Sequence, residues 1–173
     1  MPSTTSNENV ALLSRISRDR KLGLLLRHIR AGSLILEVGA GAGWFSRGLR
    51  RQGHEVRTLD LMPPADIIGD IKDWKRLGLK AGSFDVIVAL EVIEHVDCWD
   101  DLKELCKPGG WIFLSSPVPR FDWACRMLET AGLTQRRTSP HCNLVDFTAL
   151  DIAPFVLKRP LGIHQVGLFK KPK

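Results

Sequence analysis

No apolar run in the 173 residues approaches the roughly 18 to 20 that a membrane span requires, so the chain is not expected to cross a bilayer. Its first ten residues, MPSTTSNENV, have neither the basic start nor the apolar core of a secretory signal. A cytoplasmic location is the expectation. Cysteine is sparse, and Cys98, Cys106, Cys125 and Cys142 form no C-x-x-C pair, which speaks against a zinc site and against a disulfide framework. Reduced thiols are expected. No internal repeat, linker or low-complexity segment argues for a second domain. We therefore expect a tail over residues 1–13 and a single domain over 14–173.

What is present fits a globular protein: 44% apolar and 25% charged residues. The formal charge of +6 admits a nucleic acid or another anionic partner, since basic surfaces attract polyanions. A solvated cationic surface explains it equally well. The basic residues fall in two runs, Arg15, Arg18, Arg20, Lys21, Arg27, Arg30 and then Arg47, Arg50, Arg51, Arg57, spaced as on solvated helix faces.

Along the chain, apolar periodicity predicts a helix from Ser14 to Arg30, ending at Gly32, and then a strand from Leu34 to Val38. A second helix carrying Trp44, Phe45 and Leu49 ends near Gly53, and His54 to Asp60 reads as a strand. Asp66 to Ile68 is a short strand. Phe84 to Leu90 is apolar on both faces, as a central strand of a buried parallel sheet must be. Trp99 to Leu105 reads as a helix stopped by Lys107-Pro108-Gly109-Gly110, and Trp111 to Ser116 as the next strand. The expected architecture is a Rossmann-like, doubly wound α/β fold with a mostly parallel sheet and helices on both faces. Beyond Pro119 the pattern predicts a helix over Phe121 to Thr130 and irregular chain over Gln135 to Val145. A helical turn comes next at Thr148 to Ile152, then a hairpin from Phe155 to Arg159 and Ile163 to Phe169.

The stretch LEVGAGAGWF, residues Leu36 to Phe45, concentrates bare backbone between the first strand and its helix. Such a loop admits positive φ and lets a ligand approach the main chain. It is not a dinucleotide fingerprint, because G-x-G-x-x-G would end on Trp44 or Ser46, and no lysine follows for a P-loop. A ligand with a ribose but no phosphate suits it better. Asp60, about twenty residues on at the end of the second strand, is placed to accept from ribose hydroxyls. Asp70 after the third strand can accept from an adenine amino group, and Glu37 lies beside the ligand's other end.

E-x-G-x-G-x-G at Glu37 to Gly43, Asp60, Gly69-Asp70-Ile71, Phe84-Asp85-Val86 leading to Leu90-Glu91-Val92-Ile93-Glu94-His95-Val96, and Leu105 to Gly110 occur in one order. Over roughly residues 20 to 118 the set resembles class I S-adenosylmethionine-dependent methyltransferases, in particular the small single-domain type 11 group. The resemblance implies S-adenosylmethionine as cofactor and S-adenosylhomocysteine as product. It assigns Glu37, Gly39, Gly41 and Gly43 to the methionine end. Asp60 with Leu61 would meet the ribose, Asp70 and the backbone of Ile71 the adenine, and the backbone of Leu90 the ligand's amino group. After Ser116 the usual final helix and hairpin look shortened.

Methyl transfer from a sulfonium is an in-line displacement that needs alignment and water exclusion, and a base only where the acceptor must lose a proton. His95, following the fourth strand, is the first candidate base, with Glu94 beside it. Glu91, Glu94 and His95 with the later His141 also resemble the metal site of small-RNA 2′-O-methyltransferases and some quinone-pathway O-methyltransferases. A divalent ion, Mn-like if present, is the alternative expectation there. Arg120, Phe121, Trp123, Arg126, Arg136 and Arg137 suit a small anionic or aromatic acceptor methylated on oxygen or nitrogen. Two other readings remain open: RNA methylation, and a non-catalytic S-adenosylmethionine-binding partner module.

Overall fold

The computed structural model describes residues 12–121, 123, 127, 130 and 142–173. Its helices are α1 (Leu12–Leu26), α2 (Trp44–Arg51) and α3 (Trp99–Leu105). Its strands are β1 (Leu34–Val38), β2 (Glu55–Asp60), β3 (Ile67–Ile68), β4 (Phe84–Leu90), β5 (Cys106–Pro117), β6 (Pro154–Lys158) and β7 (His164–Lys170). All seven strands form one sheet in the order β3-β2-β1-β4-β5-β7-β6. From β3 to β5 every pairing is parallel, and β7 runs antiparallel to both β5 and β6.

Alternation along the strands divides the core into two layers, because successive side chains leave opposite faces. Leu36, Val38, Ile87, Ala89, Ile112 and Leu114 pack with Trp99, Leu102 and Leu105 of α3. Ile35, Val86, Val88, Phe113 and Leu168 pack with Leu24 and Leu25 of α1 and with Phe45 and Leu49 of α2. Val86 to Ala89 of β4 therefore feed both layers, which explains why that strand reads as a continuous apolar run.

The expected first helix is shorter than its periodicity suggested. It closes at Leu26, where the backbone N–H of His28 donates to the Leu25 carbonyl and tightens the chain into a turn, and Gly32 adopts a φ of 69°. The Pro-Gly segment after α3 is absorbed into β5 as a bulge. Phe84 pairs with Cys106 but Val86 with Trp111, so residues 107–110 loop out of the ladder. The C-terminal hairpin forms as β6 and β7, joined through a 3-10 turn at Pro160–Gly162, and completes the sheet. A further 3-10 turn at Phe147–Ala149 precedes it. Of the helix expected over Phe121 to Thr130, Trp123, Met127 and Thr130 are helical and exposed. Arg126, Arg136, Arg137 and His141 lie outside the described residues.

Two consequences bear on the site. The carboxyl ends of β2, β1, β4 and β5 form one edge, where open α/β sheets bind their ligands. And because β7 runs backwards, its first residue, His164, pairs with Pro117 at that same edge.

Candidate active site

The chain leaves β1 through three left-handed glycines, with φ of 68° at Gly39, 51° at Gly41 and 69° at Gly43. They serve different ends. A Cβ on Gly39 would stand 2.3 Å from Cγ2 of Val92, so this glycine is required by the close approach of the loop after β4. Around a Cβ on Gly41 nothing lies within 4 Å. Packing therefore does not explain that glycine, and its exposed backbone is open to a ligand. Gly43 caps α2.

Asp60 ties the loop to the end of β2. Its Oδ2 accepts from the Gly41 N–H (2.8 Å) and its Oδ1 from the Met62 N–H (3.1 Å). Each carboxylate oxygen has a second lone pair, so Asp60 keeps capacity for two further donors. Leu61 and Met62, immediately beyond it, are 65% and 66% exposed, an apolar surface beside a charged group. Asp70 caps the 3-10 turn Ile71–Asp73 by accepting from the Lys72 N–H (2.9 Å). The side chain of Ile71 is buried in the core, so only its backbone can face a ligand.

Glu37 is buried at the end of β1, and its Oε2 has no hydrogen-bond partner among the described residues. Burial pushes its carboxyl up to about 7, against the opposing pull of Ser46, Arg50 and Arg47. An orphaned acceptor in the strand that delivers the glycine loop is what a site shaped for a polar ligand shows.

β4 ends at Leu90, and Glu91 follows in the left-handed region with φ of 58°, an uncommon conformation for a residue with a side chain. Three donors hold its carboxylate. Lys21 Nζ (2.9 Å) and Ser115 Oγ (2.6 Å) bind Oε1, and His164 Nε2 (2.8 Å) binds Oε2. Desolvation would raise this carboxyl, but His164 and Lys21, with the hydrogen bonds of His164 and Ser115, keep it well below the usual range.

Glu94 is the opposite case. It is fully buried, and neither carboxyl oxygen has a partner among the described residues. Burial, and then the negative charge of Glu91, push it up to about 9, so it is protonated at neutral pH. Its backbone carbonyl accepts from the N–H groups of both Cys142 and Asn143 (2.8 Å each), and Asn143 Nδ2 donates to the Ile93 carbonyl. The segment returning from the C-terminal half thus closes over this turn. His95, next along, is partly buried, and its N–H donates to the Val92 carbonyl.

The residues described do not suit a divalent ion. Lys21 already places its ammonium against Glu91, and no group of three or more His, Cys, Asp or Glu is positioned to hold a metal among the described residues. His141, the fourth expected ligand, lies outside them. Lys21, read in the sequence as one of a solvated basic run, is 11% exposed and belongs to this cluster. Neither it nor His164 carried a local signal, since they lie 70 and 73 residues from Glu91.

Residues 9–152 match the profile of the methyltransferase domain family. A ubiquinone biosynthesis O-methyltransferase of Burkholderia lata is 30% identical over 115 residues, covering 56% of this chain and 50% of that protein. The chain spans about half the length of the curated relatives it matches. A Pyrococcus horikoshii protein superposes over 92% of this chain and 91% of its own, with a TM-score of 0.67 and 17% identity. The 1,6-didemethyltoxoflavin-N1-methyltransferase of Burkholderia thailandensis, solved with its acceptor and S-adenosylhomocysteine, covers 91% of this chain and 79% of its own at a TM-score of 0.56 and 17% identity. Such identities speak to the fold alone. With a sheet of this order, a glycine loop at its carboxyl edge and a family match across most of its length, the chain belongs to the class I S-adenosylmethionine-dependent methyltransferases.

Proposed function

We propose that the protein transfers a methyl group from S-adenosylmethionine, by in-line displacement, to an oxygen or nitrogen of a small anionic or aromatic acceptor. The observation that carries the reading is Gly41: left-handed, with open space where a Cβ would stand, and bonded through its N–H to Asp60 at the adjacent strand end. Family membership and a related enzyme holding S-adenosylhomocysteine support it.

The residues fit such a ligand. Asp60 has lone pairs left for two ribose hydroxyls, with Leu61 exposed beside it. Asp70 and the Ile71 backbone stand one strand further out, on the adenine side. Glu37, Gly39, Gly41, Gly43 and the backbone of Leu90 flank the methionine end. When bound, S-adenosylmethionine supplies a methyl group on a cationic sulfur that leaves as a neutral thioether. The chain's part is to align the acceptor and keep water out. Glu94, being neutral, offers the acceptor side a proton donor in place of a charge, and His95 completes that wall.

The acceptor class rests on the residues just beyond β5. Arg120 lies over the ring of Phe121 (5.1 Å to its centre), and Trp123 is 61% exposed, a pairing of cation and aromatic suited to a planar anion. The names of the two relatives extend to both oxygen and nitrogen acceptors.

Calorimetry with S-adenosylhomocysteine, with NAD as comparator, tests the reading. Selective binding is expected, weakened in Asp60→Ala by about 1–3 kcal/mol, the scale of a lost hydrogen bond to a charged group. A folded protein that binds neither compound, or binds NAD in preference, refutes it.

A further inference from the structure

The methyltransferase reading leaves open which group receives the proton when a hydroxyl or protonated amine is methylated. Three carboxylate or imidazole groups stand at the carboxyl edge of β4 besides His95, and two of them are unsuited. Glu91 has both oxygens occupied, by Lys21 from α1 and Ser115 from β5 on one side and by His164 from β7 on the other. Glu94 already carries a proton. His164 is different. An ionised carboxylate can only accept, so the nitrogen facing it, Nε2, is the protonated one. In the neutral form of the ring, the form a base requires, Nδ1 then holds the lone pair, and it makes no hydrogen bond among the described residues. The side chain is 24% exposed, so it is not sealed in the core.

We propose that His164 is the general base of methyl transfer and that Glu91 is its positioning residue. The proposal rests on the methyltransferase reading above. In the step, the acceptor's oxygen or nitrogen forms its bond to the methyl carbon as the carbon–sulfur bond breaks. The bonding pair stays on sulfur, and the acceptor's proton passes to Nδ1. The imidazolium so formed faces the Glu91 carboxylate, which stabilises it, the arrangement that makes a carboxylate-paired histidine an effective base. The sheet topology explains the placement. Only an antiparallel last strand brings its first residue to the edge where the parallel strands end, opposite Pro117. The left-handed backbone of Glu91 fits the same purpose, since strain of this kind persists where surrounding contacts enforce it.

Long-range proton–nitrogen NMR of the protein alone, at pH 7.5, reads the tautomer. His164 is expected to carry its proton on Nε2 with Nδ1 bare, and Glu91→Gln to remove that preference. The kinetic arm uses S-adenosylmethionine with 3,4-dihydroxybenzoate, a small anionic aromatic bearing hydroxyls. His164→Gln keeps a donor for Glu91 but has no basic nitrogen. Its kcat is expected to fall at least about 100-fold, within the usual range for a lost general base, with KM and S-adenosylhomocysteine affinity unchanged. His95→Asn should fall far less. A proton on Nδ1 in the resting protein overturns the proposal, as does a His164→Gln enzyme of wild-type kcat, or a greater loss in His95→Asn. The tautomer needs no acceptor, so it can overturn the proposal even where the probe is methylated slowly. Failure of the wild-type protein to bind S-adenosylhomocysteine, with the tautomer as expected, overturns the methyltransferase reading itself and the base role with it.

Discussion

Replacing Glu94 by glutamine should make the protein more stable at neutral pH and change how its stability depends on pH. Glu94 is fully buried, neither of its carboxyl oxygens has a partner among the described residues, and its carboxyl is raised from the ordinary 4.5 to about 9. An acid raised in this way contributes its full stability below the unfolded value and loses it as the pH climbs towards the folded one, because the unfolded chain then releases a proton that the folded chain retains. Each pH unit in that window costs about 1.4 kcal/mol. From 4.5 to pH 7 the loss reaches about 3 kcal/mol, a substantial part of the roughly 5–15 kcal/mol typical of a domain. Glutamine has nearly the same shape and never ionises. The variant and the parent should therefore match near pH 4.5 and diverge steadily above it. Glu91 stays ionised in both, held by Lys21 and His164, so the pair carries one negative charge throughout. Urea unfolding at half-unit intervals from pH 5 to pH 8.5 measures the gap. A difference that stays constant across this range would show that Glu94 ionises normally and refute the reasoning.

The two loop glycines should separate folding from binding. Gly39→Ala drives a Cβ to 2.3 Å from Val92 and should lower the thermal midpoint markedly, whereas Gly41→Ala meets no neighbour and should cost only about 1–2 kcal/mol of backbone strain. In calorimetry Gly41→Ala should nonetheless weaken S-adenosylhomocysteine at least tenfold; equal affinity would mean that no ligand approaches that backbone. Phe147 is fully buried and edge-on to Phe169 of β7 (5.7 Å between ring centres), so Phe147→Ala should cost about 3–5 kcal/mol in denaturant unfolding. A loss under 1 kcal/mol would show that the segment before β6 contributes little to the core.

The site divides according to how far apart its parts lie along the chain. Glycines in the turn after β1 and an acid at the end of β2 are local features: backbone needing positive φ, and a carboxylate at the end of an apolar run, leave marks within a few residues. The strands were legible for the same reason, since period-two patterning and the two-faced run of β4 are written into short stretches. The end of α1 was harder, because apolar residues continue past Leu26 and the stop is a backbone turn at His28. What the sequence determined alone was therefore the sheet's parallel core and the place of the glycine loop and of Asp60 at its carboxyl edge. Only the tertiary structure decided the cluster at the end of β4. Glu91, Lys21 and His164 meet because α1 crosses one face of the sheet and β7 runs against its neighbours. Glu94 is neutral because the whole fold buries it, and no run of neighbouring letters encodes the dielectric around a carboxyl group.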